Sequence, residues 1–150
     1  MRDYAYFMRA AVKAADSAPG YNNRQKTGAV IVRKNRIISV GFNSTKSHPL
    51  AKLYSKHPNA IYLHAEIHTI IKALRVDSSI SGSSIFIARR TYDSRKKPVG
   101  YGLAKPCEGC AAAIAHFNFG LVAYSVDSSP NLSYITVDIR RNRVEKHEEI

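Results

Sequence analysis

The chain has 150 residues, 45% hydrophobic and 9% aromatic, enough for one ordinary domain with a proper core, and this excludes wholesale disorder. Lys and Arg number 23 against 11 Asp and Glu, a formal net charge of +12 that favours polyanionic partners such as nucleotides or nucleic acid. No apolar run approaches the ~18–20 residues that span a bilayer, and Met1-Arg2-Asp3-Tyr4 does not open a secretory signal. A soluble cytoplasmic protein without a membrane partner, forming a single domain over 1–150, is the expectation.

The pattern predicts a helix from Arg2 to about Ala15, where Phe7, Ala10, Ala11, Ala14 and Ala15 recur at helical spacing and Pro19-Gly20 ends the run. Thr27–Arg33 and Arg36–Phe42 are β-branched runs joined at Lys34-Asn35, a hairpin without the favoured Gly. Ser44–Ala60 reads as a polar loop broken by Pro49 and Pro58. A second helix is expected from His64 to about Arg75 on the stripe Ile67, Ile70, Ile71 and Leu74. Ser84–Arg89 alternates like a strand, and Thr91–Lys105 reads as a basic loop. A third helix is expected from Cys107 to Phe117, with Gly120 beyond its end. Leu121–Val126 and Tyr134–Ile139 read as strands, and from Arg140 the chain reads as a charged, solvated extension. The order α-β-β-α-β-α-β-β predicts an α/β fold with a sheet of about five strands flanked by helices. Only Asp127–Ser133 separates the last two strands, too short for a parallel crossover, so they should pair antiparallel.

Two cysteines, Cys107 and Cys110, stand in one C-x-x-C, which excludes a disulfide framework and leaves metal or redox chemistry. At a helix start both sulfurs face one way, and the N-terminal partial charge favours thiolates. Thiolates and imidazole suit zinc. With His64 as third ligand, one tetrahedral position stays open, as in catalytic rather than structural sites. Water bound there becomes hydroxide near neutral pH. Glu66, two residues from His64, faces another side of its helix and so stands beside the water as a proton carrier. Blander readings exist for each element. The C-x-x-C alone reads as a redox pair, and His68, at i+4 from His64, permits a closed Cys₂His₂ site at a spacing unlike zinc fingers. An H-E-x-x-H protease fails because Ala65 holds the Glu position. His48, His57, His116 and His147 read as surface or loop residues.

His64-Ala65-Glu66 followed by Pro106-Cys107-Glu108-Gly109-Cys110 matches the H-x-E…P-C-x-x-C signature of the zinc nucleobase deaminases. The chain thus resembles the cytidine/deoxycytidylate deaminase superfamily, from about Arg2 to Ser125. Thr27–Val32 and Arg36–Asn43 are similar to that family's first hairpin, which ends in an Asn contacting the substrate sugar. The loop 43–57 and the approach Gly102-Leu103-Ala104-Lys105-Pro106-Cys107 resemble viral or phage-type members. The resemblance implies a three-layer cytidine deaminase-like fold around a mixed sheet. It implies Zn²⁺ held by His64, Cys107 and Cys110, proton transfer by Glu66, and substrate contacts from Asn43 and Ala65. It also implies attack of zinc-bound hydroxide on cytosine C4, or on adenine C6 in an adenine reader, and it allows a homo-oligomer.

Charge bears on the substrate. No Asp or Glu occurs from Ser17 to Ala65, while Arg24, Lys26, Arg33, Lys34, Arg36, Lys46, Lys52 and Lys56 do. A second group, Arg89, Arg90, Arg95, Lys96, Lys97 and Lys105, leads into the cysteines. A basic solvated face is the ordinary explanation for any one of them. Together they suit a phosphorylated substrate, with Arg24, Lys26 and Lys105 as candidate contacts. The reading is a deaminase of a cytosine nucleotide such as dCMP or CMP. The alternatives are a deaminase of single-stranded DNA or RNA and, in another class, a non-catalytic zinc module that binds nucleic acid.

Overall fold

The computed structural model describes residues 3–18, 25–47, 62–77 and 79–149. Helix α1 (Tyr4–Asp16) is capped by Asp3, whose side chain accepts from the Tyr6 N–H at 3.1 Å. Its apolar stripe of Phe7, Met8, Ala11, Ala14 and Ala15 is buried. Strands β1 (Gln25–Arg33) and β2 (Arg36–Phe42) form the expected hairpin. Without glycine at the turn, Lys34 and Asn35 take left-handed φ of 51° and 63°, at a cost of about 1 kcal/mol per residue. Strands β3 (Ser44–Ser47) and β4 (Tyr62–Leu63) pair as a separate ribbon. Helix α2 (Ala65–Val76) follows, then β5 (Ser84–Tyr92), β6 (Pro98–Gly102), α3 (Glu108–His116), β7 (Leu121–Ser125), β8 (Ser133–Asp138) and β9 (Arg143–Glu148).

Seven strands make one mixed sheet in the order β2-β1-β5-β7-β8-β9, with β6 paired to β5. The β5–β7 pair is parallel, with α3 in the crossover. β7 and β8 pair antiparallel, as the short connection requires. Buried runs in the central strands, Ala29–Val32, Ile85–Ala88 and Leu121–Ser125, show that both sheet faces are covered there. On one face Phe7, Met8 and Ala11 of α1 pack against Val30, Val32, Phe86 and Ala88. On the other, Ile67, Ile70, Ala113 and Ile114 of α2 and α3 pack against Ala29, Ile31, Ile85 and Ile87. The strict alternation of these two sets along β1 and β5 decides which side chains can reach which layer.

Two segments differ from the expectation. The loop over 91–105 contains β6, paired to β5 through Arg89↔Gly102 and Arg90↔Tyr101. Its turn is organised by the Asp93 carboxylate, which accepts from the N–H groups of Arg95 and Lys97. The C-terminal extension is solvated, yet it forms β9 on the sheet edge, paired along β8 from Ser133↔Glu148 to Asp138↔Arg143. His147 is therefore not a loop residue. Its ring stacks on Tyr134 at 4.8 Å and lies within hydrogen-bonding distance of the Thr136 hydroxyl, at 3.0 Å. The sheet thus has seven strands rather than five. Among the described residues no helix is long and apolar enough to cross a membrane.

Candidate metal centre and active site

Helices α2 and α3 begin at the same place, and their N-cap residues are His64 and Cys107. The position of α2 is set by close contact with β2. Gly41 admits the helix so closely that a Cβ there would lie 2.6 Å from the Thr69 nitrogen. Beside it the Ser39 hydroxyl donates to the Thr69 carbonyl at 2.6 Å and accepts from the Thr69 hydroxyl at 3.0 Å. One residue earlier on the helix, the Phe42 N–H meets His68 Nδ1 at 3.1 Å. The approach to α3 is tied down by the Ala104 N–H, which donates to the Ser125 carbonyl at 2.9 Å. Cys107 then caps the helix through sulfur, its Sγ accepting from the Cys110 N–H at 3.4 Å.

This brings His64 Nδ1 to 3.7 Å from Cys107 Sγ and 3.4 Å from Cys110 Sγ. All three donor atoms lie within 4.8 Å of one another. A tetrahedral ion with Zn–S near 2.3 Å and Zn–N of 2.0–2.1 Å requires N···S separations of about 3.6 Å. The observed pair brackets that value, so the donor set fits zinc in spacing and in chemistry. His68 does not join the cluster, because its Nδ1 is engaged at the Phe42 backbone. Among the described residues the grouping therefore has three ligands and not four.

The four groups perturb one another. Cys107 is pulled down to about 3, chiefly by the hydrogen bond from Cys110 and next by that from His64. Cys110, 3% exposed, is pushed up because it donates to Cys107 and because it is buried. The sulfur pair thus shares one proton, which a dication would displace. His64 is raised, first by its bond to Cys107, with burial opposing. Glu66 is 6% exposed, and burial raises its carboxyl against the lowering effects of its own backbone N–H and of His64. Cys107 and Cys110 also act on the Glu66 carboxyl, which stands against the ligand cluster.

The other expected contacts divide. Asn43 follows β2, and the pairing of Ser44 with Leu63 sets it opposite His64. Its Oδ1 is committed, accepting the Thr27 N–H at 3.0 Å, while its own N–H donates to the Thr27 carbonyl. Ala65 is buried at the first position of α2. Lys105 is exposed on the approach to Cys107. Strand parity places Lys26 on the α1 face with Val30, 5.2 Å over the Tyr92 ring and away from the α2/α3 layer. Arg24, His48 and His57 lie outside the described residues. His116 is exposed at the end of α3. Arg89, which charge grouping mentions only as one of a basic run, lies on the site's own face of β5. Its signal was its alternation with Ile85 and Ile87.

An α/β sheet that brings two helix N-termini together, with a His-Cys-Cys cluster and a buried glutamate between them, defines a zinc-dependent hydrolase of the deaminase kind. The chain belongs to the family described as the cytidine and deoxycytidylate deaminase zinc-binding region, which it matches over residues 1–126. It is 37% identical over 124 residues to a tRNA-specific adenosine deaminase of Rickettsia bellii, covering 81% of this chain and 69% of that one. The dCMP deaminase of cyanophage S-TIM5 in complex with dCMP and dUMP is similar at a TM-score of 0.52 and 25% identity, over 83% of this chain and 82% of that one. A cytidine deaminase of Burkholderia pseudomallei shares the fold at a TM-score of 0.56 and 16% identity, over 99% and 93% of the two chains.

Proposed function

We propose that this deaminase hydrolyses the C4 amino group of cytosine in a (deoxy)cytidine nucleotide such as dCMP or CMP, giving uracil and ammonia. His64, Cys107 and Cys110 hold the zinc, and Glu66 moves the protons. The observation that carries the reading is the buried Glu66 carboxyl beside a ligand set that has three members among the described residues. When bound, zinc supplies a Lewis-acidic centre that lowers the pKa of water to near neutral. The rest falls to the chain. Burial makes the Glu66 carboxyl a better base than an exposed glutamate, so it takes a proton from water and holds it in a site with little bulk solvent. It delivers that proton to N3 of the ring as the water oxygen bonds to C4, then takes the proton of the new C4 hydroxyl and passes it to the amino nitrogen, which leaves as ammonia when the C4–N bond breaks. Asn43 and Ala65, flanking His64, are the proposed contacts to the sugar and base. The cyanophage dCMP deaminase supports the nucleotide substrate.

The Rickettsia relative favours a second reading, deamination of adenine in a polynucleotide. An ammonia-release panel of cytidine, CMP, dCMP, single-stranded DNA and tRNA separates the two. The nucleotide reading expects the monophosphates to be best, with mild salt dependence. The polynucleotide reading expects steep loss of activity with salt. Glu66→Gln should abolish turnover while zinc stays bound. Turnover surviving in that variant, or no ammonia from any substrate, would defeat the reading.

A further inference from the structure

Among the described residues, Arg89 is a half-buried cation without a carboxylate partner. Its Nε donates to the Thr27 hydroxyl at a long 3.4 Å, and it makes no salt bridge among the described residues. Such a residue normally finds a carboxylate or stays in solvent. Here it is held in place instead. The Ser125 hydroxyl accepts the Arg89 backbone N–H at 2.9 Å and donates to the Gly102 carbonyl at 2.7 Å, pinning β5 where β6 and β7 diverge. Gly102, paired with Arg89, leaves room for its stem: a Cβ there would sit 3.0 Å from Arg89 Cδ.

The position of this cation is specific. Pairings Thr27↔Arg89 and Arg89↔Gly102, with the Asn43–Thr27 bonds, set Asn43, Thr27, Arg89 and Gly102 in one row across the sheet end. The row lies on the α2/α3 face, with Asn43 opposite His64. A planar guanidinium whose one side-chain hydrogen bond among the described residues is a long one, on the sheet face that α2 and α3 cover, is suited to bidentate capture of a phosphate.

We propose that Arg89 is a specificity-determining residue that binds a phosphate group of the substrate and selects phosphorylated substrates over free nucleosides. This rests on the deaminase reading and narrows its substrate class. The phosphate has two sources, a free mononucleotide or a polynucleotide backbone, and both would engage the same fork of donors.

The test compares kcat/KM for dCMP, cytidine and a short cytosine-containing single-stranded DNA in wild type, Arg89→Ala, Arg89→Gln and Arg89→Lys, with zinc content measured for each. The dCMP-to-cytidine selectivity ratio should fall roughly 10–100-fold in Arg89→Ala and Arg89→Gln, mainly through KM, and recover in part in Arg89→Lys. If the ratio falls for the oligonucleotide instead, Arg89 still reads phosphate and the source is the backbone. The same ratios are read as Kd by calorimetry on Glu66→Gln protein, which does not depend on turnover. A wild type that prefers no phosphorylated ligand in either measurement overturns the proposal. So do variants whose activity falls equally on cytidine, dCMP and oligonucleotide, since Arg89 would then only support the fold. Absence of ammonia from every substrate would defeat the deaminase reading, whereas unchanged ratios in an active enzyme defeat Arg89 alone.

Discussion

Replacing Gly41 by alanine should damage the metal centre from a distance, whereas the same change at Gly28 should damage only stability. At Gly41 the added Cβ would meet the Thr69 nitrogen at 2.6 Å and its Cα and Cβ at 2.9 Å, short of ordinary contact by about 0.8 Å. The obstacle is the α2 backbone, so the helix must move, and His64 and Glu66 move with it. Overpacking of this size costs about 1–3 kcal/mol, and for a chain of this length each kcal/mol lowers Tm by roughly 2–4 °C. A shift of that order also spoils N···S separations now at 3.4 and 3.7 Å, and zinc affinity should fall roughly 10–100-fold, as for loss of an outer-shell support. At Gly28 the Cβ would strike the Ala15 nitrogen at 2.3 Å and the Ala11 carbonyl at 2.4 Å. That helix, α1, lies on the opposite face, so Tm should fall comparably with zinc affinity unchanged. Thermal unfolding followed by circular dichroism and chelator competition for zinc read the two effects. Equal zinc affinities in both variants would refute the claim that the β2–α2 contact positions the ligands.

Zinc affinity should fall with pH, because the sulfur pair retains a proton and His64 is raised by its bond to Cys107. About tenfold per pH unit is expected for each proton displaced, read by chelator competition between pH 6 and 8. Asp77 is held below the ordinary carboxylate range, first by the Arg33 guanidinium at 2.6 Å. A depressed carboxyl contributes stability above its unfolded pKa and loses it as pH falls through the folded one. Asp77→Asn should therefore be less stable than wild type at pH 7, and the difference should close on acidification below about pH 4. A difference that persists in acid would exclude the ion pair as its cause.

The ligand set was legible because it depends on short-range geometry. Cys107 and Cys110 sit three apart at a helix start, and His64 and Glu66 sit around another, so cap position and helical phase alone orient them. β1 and β2 were legible as β-branched runs, and β5 by its alternation from Ser84 to Arg89. β6 and β9 were not. β6 is Pro98-Val99-Gly100-Tyr101-Gly102, poor in strand formers, and its turn rests on one side chain, Asp93. β9 is an exposed edge strand whose charges suit solvent and blunt edge pairing. Lys26 and Arg89 were indistinguishable as members of basic runs. Which of them lies on the α2/α3 face is a matter of odd or even position relative to Ala29 and Ile87, and that became readable only once the layers were known.

Zinc absorption spectroscopy on protein purified without added metal tests the central claim most directly, combined with metal analysis of wild type and Cys110→Ser. The account predicts about one zinc per chain, bound by two sulfurs, one imidazole nitrogen and one oxygen from water, and lost in the variant. Absence of zinc, or a shell filled by a fourth side chain, would contradict it.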